Sequence, residues 1–144
     1  MKKLILFSAV ISILFSSCKK TEDLTTSIAG VYSGNLQVIN VASGNSQTAA
    51  EQILVSRVDD SHVLISEIGG GDMPTFTADV LEAKNNDLLL RVQLQVVSGI
   101  SIQPYIIYSA DNQPCSGGYV HASRQINIIV YTNGTDIVAF QGTH

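Results

Sequence analysis

The chain has 144 residues, 45% of them apolar and 14% charged, with eight Lys and Arg against twelve Asp and Glu for a net charge of −4. That length supports one hydrophobic core and not two. From Ile28 onward Arg57, Lys84, Arg91 and Arg124 stand against ten acidic residues, a net charge of −6, so no basic stripe exists for a nucleic acid and that class of partner is excluded.

The N-terminus reads as an address. Lys2-Lys3, the apolar run Leu4 to Phe15 and the small residues Ser16-Ser17 have the order of a secretory signal, and the run is too short to span a bilayer. Phe15-Ser16-Ser17-Cys18 resembles the lipobox of bacterial lipoproteins, with Phe15 in place of the usual Leu. The resemblance implies that residues 1–17 are removed and that Cys18 is diacylated on sulfur and then acylated on its amine. The alternative is an ordinary secreted protein cut beside an incidental cysteine. Each buried CH₂ contributes roughly 0.8 kcal/mol, so two or three acyl chains hold a protein on a membrane permanently. Residues 18–27 then form the lipidated cysteine and a polar tether, and residues 28–144 the folded domain. Lys19 after the cysteine, where Asp would retain the protein at the inner membrane, implies the outer membrane. With Cys18 acylated, Cys115 has no intramolecular partner, so packing and not disulfides must hold the fold, and Cys115 reads as a free, partly buried thiol.

The rest is a succession of short alternating segments punctuated by turn residues, the pattern of an all-β domain. The predicted strands are Val31 to Val41, Gln52 to Val58, His62 to Ile68, Thr75 to Glu82, Leu88 to Val97, Ile100 to Tyr108, Gly118 to Ser123, Gln125 to Thr132 and Asp136 to Gln141. Asn133-Gly134 is the strongest turn signal, because both residues tolerate the positive φ of a type I′ turn. Hairpin-length connections between eight or nine strands favour an up-and-down antiparallel β-barrel of about eight strands, whose closure removes exposed edges. An antiparallel β-sandwich is the alternative, since alternation does not distinguish closure from stacking. Leu88, Leu90, Val92, Leu94 and Val96 share one face, predicted to point inward with Phe76, Ala78, Val80, Tyr32, Leu36 and Val38.

Gly30-Val31-Tyr32-Ser33-Gly34-Asn35-Leu36, opening the first strand after the tether, resembles the start of the lipocalin-like, or calycin-like, lipoproteins of Gram-negative envelopes. Lipocalins and the avidin group carry Gly-x-Trp here, with the indole closing one barrel end. Tyr32 takes that place, the chain has no Trp, and the final strand lacks the Arg of lipocalins, which argues against biotin binding of the avidin kind. The resemblance implies a small barrel whose lumen or mouth holds a ligand.

Registering the last hairpin on a two-residue Asn133-Gly134 turn sets Thr132 opposite Thr135, Val130 opposite Ile137 and Ile128 opposite Ala139. A second two-residue turn at Ser123-Arg124 would bring Tyr119 and His121 onto the inner face, with Gln141 nearby. Tyr32, Tyr119, His121 and Gln141 are therefore the candidate ligand-binding residues, a few polar groups in an apolar concavity; the bland alternative is a barrel rim with its polar atoms in water. The same register turns Ile129, Tyr131, Val138 and Phe140 outward, a candidate interface for self-association or an envelope partner.

No nucleophile elbow, phosphate loop, His-Glu-x-x-His or EF-hand loop occurs. Asp59, Asp60 and His62 at a hairpin tip, and Gly69-Gly70-Gly71-Asp72, read as solvated turns. The expectation is a non-enzymatic, outer-membrane-anchored barrel with no cofactor or metal, binding a small apolar or amphipathic ligand. The alternative is a protein-interaction or inhibitor module acting through its loops or outer face.

Overall fold

The computed structural model describes residues 23–144. The expected signal, Cys18 and the first residues of the expected tether lie outside the described part. Twelve strands follow one short helix: α1 (Leu24–Ile28), β1 (Gly30–Asn40), β2 (Ser46–Arg57), β3 (His62–Glu67), β4 (Phe76–Glu82), β5 (Leu88–Val92), β6 (Gln95–Val97), β7 (Ile100–Pro104), β8 (Ile107–Tyr108), β9 (Pro114–Cys115), β10 (Gly117–Val120), β11 (Gln125–Thr132) and β12 (Asp136–Thr143). Strands β1 to β5 form an antiparallel meander, β5 pairs with β10, β10 with β11, β11 with β12, and β12 returns to β1. This is a closed eight-stranded antiparallel barrel, the class that the alternation implies, and not a sandwich.

One wall position is shared. The first half of β11 pairs with β10 (Ile128 with Gly117) and its last residues pair with β7 (Thr132 with Ile102). The segment between β7 and β10 makes a separate two-stranded ladder, β8 with β9.

Where alternation is strong, it reports the inside correctly. Tyr32, Leu36, Phe76, Ala78, Val80, Leu88, Leu90 and Val92 are buried as expected. Leu94 and Val96 are not: they are 68% and 70% exposed, because the strand expected over Leu88 to Val97 breaks at Gln93-Leu94. Beyond the break the Gln95 side-chain amide substitutes for a ladder, its Oε1 accepting from Thr77 N and its Nε2 donating to Thr77 O, each at 2.9 Å.

The last hairpin corrects the sequence reading by one residue. Asn133 and Gly134 do take left-handed conformations (φ 50° and 70°), but Thr132 pairs with Asp136, Val130 with Val138 and Ile128 with Phe140. Thr135 is the extra residue: its carbonyl accepts from Val41 N at 2.9 Å, while Asn133 N donates to Ser101 O at 2.8 Å. A one-residue slip exchanges the faces of a strand. Val138 and Phe140, predicted outside, are therefore core residues at 2% exposure each.

The N-terminal boundary also moves. Residues 24–27, expected as tether, form a helical turn on the barrel. Asp23 caps it, Oδ1 accepting from Thr25 N at 3.1 Å and Thr26 N at 3.3 Å. Buried Thr25 donates its hydroxyl to Asp59 O at 2.7 Å, Asp23 pairs with Arg57 at 2.6 Å, and Ile28 is fully buried. The helix thus seals the end of the barrel that carries the β2–β3, β4–β5 and β10–β11 turns.

Gly34 faces Gly142 across the β1–β12 ladder, and a Cβ at Gly34 would run into the Gln141 carbonyl oxygen. Backbone on both sides cannot yield cheaply, so Gly34→Ala should destabilise the domain by ~1 to 3 kcal/mol and lower its melting temperature. Tyr32→Phe, which removes a buried hydroxyl bonded to Ile28 O, should cost about 1 kcal/mol. An unchanged thermal midpoint in Gly34→Ala would contradict the close approach.

Candidate functional site

The four residues expected to form a ligand site lie at the sealed end. Tyr32 is fully buried, its hydroxyl donating to Ile28 O at 2.7 Å, and Tyr119 packs edge-on against it with ring centroids 6.3 Å apart. Burial, with Tyr119 beside it, pushes the Tyr32 phenol far above its ordinary range. Both rings are spent on packing. His121 and Gln141 are exposed and do not join them inside. The Ser123-Arg124 turn is longer than expected: β10 ends at Val120, paired with Gln125, so Tyr119 meets Ile126 and stays inward while His121 falls beyond the strand. Its backbone N–H is held by Asp87 at 3.0 Å, and its ring meets Tyr119 from outside. His144 instead lies edge-on over Tyr32 at 5.4 Å. A small depression of about 140 Å³ remains here, lined by residues including Asp23, Glu82 and His121.

Of the four candidate interface residues, Ile129 and Tyr131 do face outward, half-buried, whereas Val138 and Phe140 face the lumen. The chain covers part of this face itself, since Tyr105 stacks on Tyr131 at 5.1 Å. Cys115 is buried and forms no disulfide among the described residues, its Sγ 3.8 Å from Ile107 O.

The opposite end is open. A cleft of about 580 Å³ is lined by Val38, Asn40, Ser43, Asn45, Gln47, Asp72, Thr132, Asp136 and Val138. The strand residues among them are the last inward-pointing positions of β1, β2, β11 and β12, for Val38 pairs with both Gln47 and Val138, and Asn40 and Thr132 both pair with Asp136. Apolar Val38 and Val138 form the floor, and amides, hydroxyls and carboxylates form the rim. Asn40 donates from Nδ2 to Asp136 at 2.8 Å. Asp72 is carried by the Gly69–Asp72 loop, which Glu67 pins by accepting from Met73 N at 2.7 Å. Glu51 lies inward beside this rim, and its carboxyl is raised above its ordinary range by burial first and by neighbouring Glu67 and Asp72 next.

Sequence reasoning missed this mouth, although a signal was present. Ser46-Gln47-Thr48-Ala49-Ala50 has no apolar alternation, so β2 was expected to start at Gln52; it starts at Ser46, and all five residues are exposed. A strand with water on its outer side and a wet lumen on its inner side has no apolar face to display.

At the β2–β3 tip, Asp59 accepts from Ser61 N and His62 N, both at 2.9 Å, and clasps His62 Nδ1 at 2.7 Å, while Asp60 pairs with Arg57. These carboxylates are committed to the turn, and among the described residues no cluster of metal-ligating side chains occurs. No protein-family model, no curated protein and no solved structure matches the chain.

The tip sets a pH response. Hydrogen bonds from Ser61 and His62 lower Asp59 to about 2, and the Asp59 hydrogen bond, with Asp79 nearby, raises His62 above its ordinary 6.5. The raised histidine stabilises the fold below pH 6.5 and loses that contribution as pH climbs through its folded value. The lowered aspartate contributes above its ordinary 3.8 and loses its contribution as pH falls through about 2. The clasp is therefore complete between those two ordinary values. Asp59→Asn should bring the His62 titration, followed by ring proton shifts, back toward 6.5; an unmoved midpoint would refute the clasp.

Proposed function

We propose that this chain is a lipid-anchored envelope protein without catalytic activity that binds a small amphipathic ligand in the open mouth of its barrel. The observation that carries the reading is the asymmetry of the barrel: one end sealed by α1 with Ile28, Tyr32 and Tyr119, the other open over a cleft with an apolar floor and a polar rim. Such a cleft removes an apolar surface from water while placed polar groups orient it. Of the apolar and amphipathic ligands expected from the sequence, the amphipathic one fits this rim better. The lipocalin-like resemblance supports the same reading, since Tyr32 closes a barrel end from the position of the lipocalin Trp.

An anchor at Cys18 gives this asymmetry a direction. Four residues separate Cys18 from Asp23, five Cα–Cα steps with a reach of at most ~18 Å, and Asp23 caps the helix on the sealed end. The sealed end then sits against the outer membrane and the mouth opens away from it. A second reading, docking of a protein partner on the outer wall, is favoured by the exposed apolar side chains Leu94, Val96, Ile106 and Tyr108 around the β6–β7 hairpin.

Wild-type protein should fractionate with membranes and need detergent for release, and Cys18→Ser should leave it unprocessed or free. Soluble wild-type protein with an unmodified mature N-terminus would sink the anchor. For the mouth, a screen of amphipathic compounds should give hits that shift the methyl resonances of Val38, Thr132 and Val138. At a hundredfold excess over Kd such a hit should stabilise the fold by ~2.7 kcal/mol. Hits that shift Leu94 and Val96 and leave the mouth methyls still would move the assignment to the outer wall.

A further inference from the structure

Acidic groups occupy both ends of the barrel, but the basic ones keep away from the mouth. Arg57 is the last residue of β2 at the sealed end, Lys84 lies in the β4–β5 turn, Arg124 in the β10–β11 turn, and His62, His121 and His144 belong to the same end. Arg91 is on the outer wall, opposite Asp79 in the β4–β5 ladder. Among the described residues no Lys, Arg or His lines the mouth, whereas Asp72 and Asp136 do, with Glu51 and Glu67 on the inner face beside them.

A second observation at the same place points to a ligand. Thr132 is 92% shielded, its residue being 8% exposed, and it lies on the inner face of β11 against the cleft. No side-chain hydrogen bond among the described residues uses its hydroxyl, and since no enclosed side-chain polar atom is left unpaired, that hydroxyl opens into the cleft. On an otherwise buried residue, this uncommitted hydroxyl faces the cleft and is free to accept from an N–H donor bound there.

Resting on the mouth as the binding site, we infer that it selects a small organic cation, an alkylamine or alkylguanidine. The cationic head lies among Asp72, Asp136 and the Thr132 hydroxyl, and the alkyl part covers Val38 and Val138. Glu51 beside the rim is raised by burial first and by Glu67 and Asp72 next, and a bound cation would offset that local excess of negative charge. A carboxylate or phosphate head would meet like charge with no counterion within the lining.

The test keeps the tail constant and varies the head: n-pentylamine, 1-pentanol and pentanoate at pH 7 with the intact protein in detergent, read by the Val38, Thr132 and Val138 methyl shifts. Pentylamine should bind at least roughly tenfold more tightly than pentanol, the scale of one charge-assisted hydrogen bond, and pentanoate more weakly still. The D72N/D136N variant should erase the amine's advantage and leave pentanol binding in place, with circular dichroism confirming the fold; Asn at 136 retains a carbonyl for the Asn40 amide. Equal or tighter binding of pentanol or pentanoate at the same methyls would overturn the charge selection and leave the mouth as the site. Methyls that respond to none of the three would overturn both. A response to calcium chloride without one to pentylamine would make the mouth a metal site and overturn the inference.

Discussion

The structure depends on the pairing of its first strand with its last. Eight ladder positions, from Ser33–Thr143 to Asn40–Asp136, close the sheet on itself. Without them β1 and β12 would each expose a row of unpaired backbone groups. Closure also defines an inside: it turns the alternation of every strand into one buried set, in which Leu36 meets Phe140 and Val38 meets Val138 across the seam. Gly34 and Gly142 allow the two backbones to approach at that seam where side chains could not fit.

Within the closed sheet the interior divides into a dry portion and a wet one. Toward the sealed end Tyr32, Phe76, Leu90, Ile126 and Phe140 fill the lumen, so the barrel holds no through-channel there. Toward the mouth the inward residues shrink and turn polar: Gln47 and Ala49 on β2, Asn40 on β1, Asp136 on β12. The packed apolar core supplies stability, and the polar end leaves part of the lumen open to solvent. The two demands are met at different heights of the same strands.

That division explains what the sequence disclosed. Dry faces announce themselves, so the all-β class, the barrel and the inward set from Tyr32 to Val92 were legible from period-two patterning. The wet face of β2 was silent, because Ser46 to Ala50 contrast with nothing. The last hairpin failed for another reason: both of its faces carry apolar residues, so patterning could not choose between two registers. The choice was made by Thr135 bonding Val41 and Asn133 bonding Ser101, contacts between segments far apart in sequence. His121 was lost in the same way, through a connection two residues longer than assumed. The candidate ligand residues Tyr32 and Tyr119 were thus read onto the correct face, and the structure packs both at the sealed end of the lumen.

The seam between β1 and β12 also fixes an order of events in time. Strand β1 is the first made and β12 the last, with about 100 residues between their partners, so the contact that completes the sheet is also the one of greatest sequence separation. Such a contact carries the largest loop-closure cost and slows folding. Until the C-terminal strand arrives, β1 can hold β2 on one side while its other edge stays open to any extended chain nearby. A nascent barrel is therefore at its most vulnerable just before β12 emerges, and a chain lacking only that strand would keep two permanent, adhesive edges.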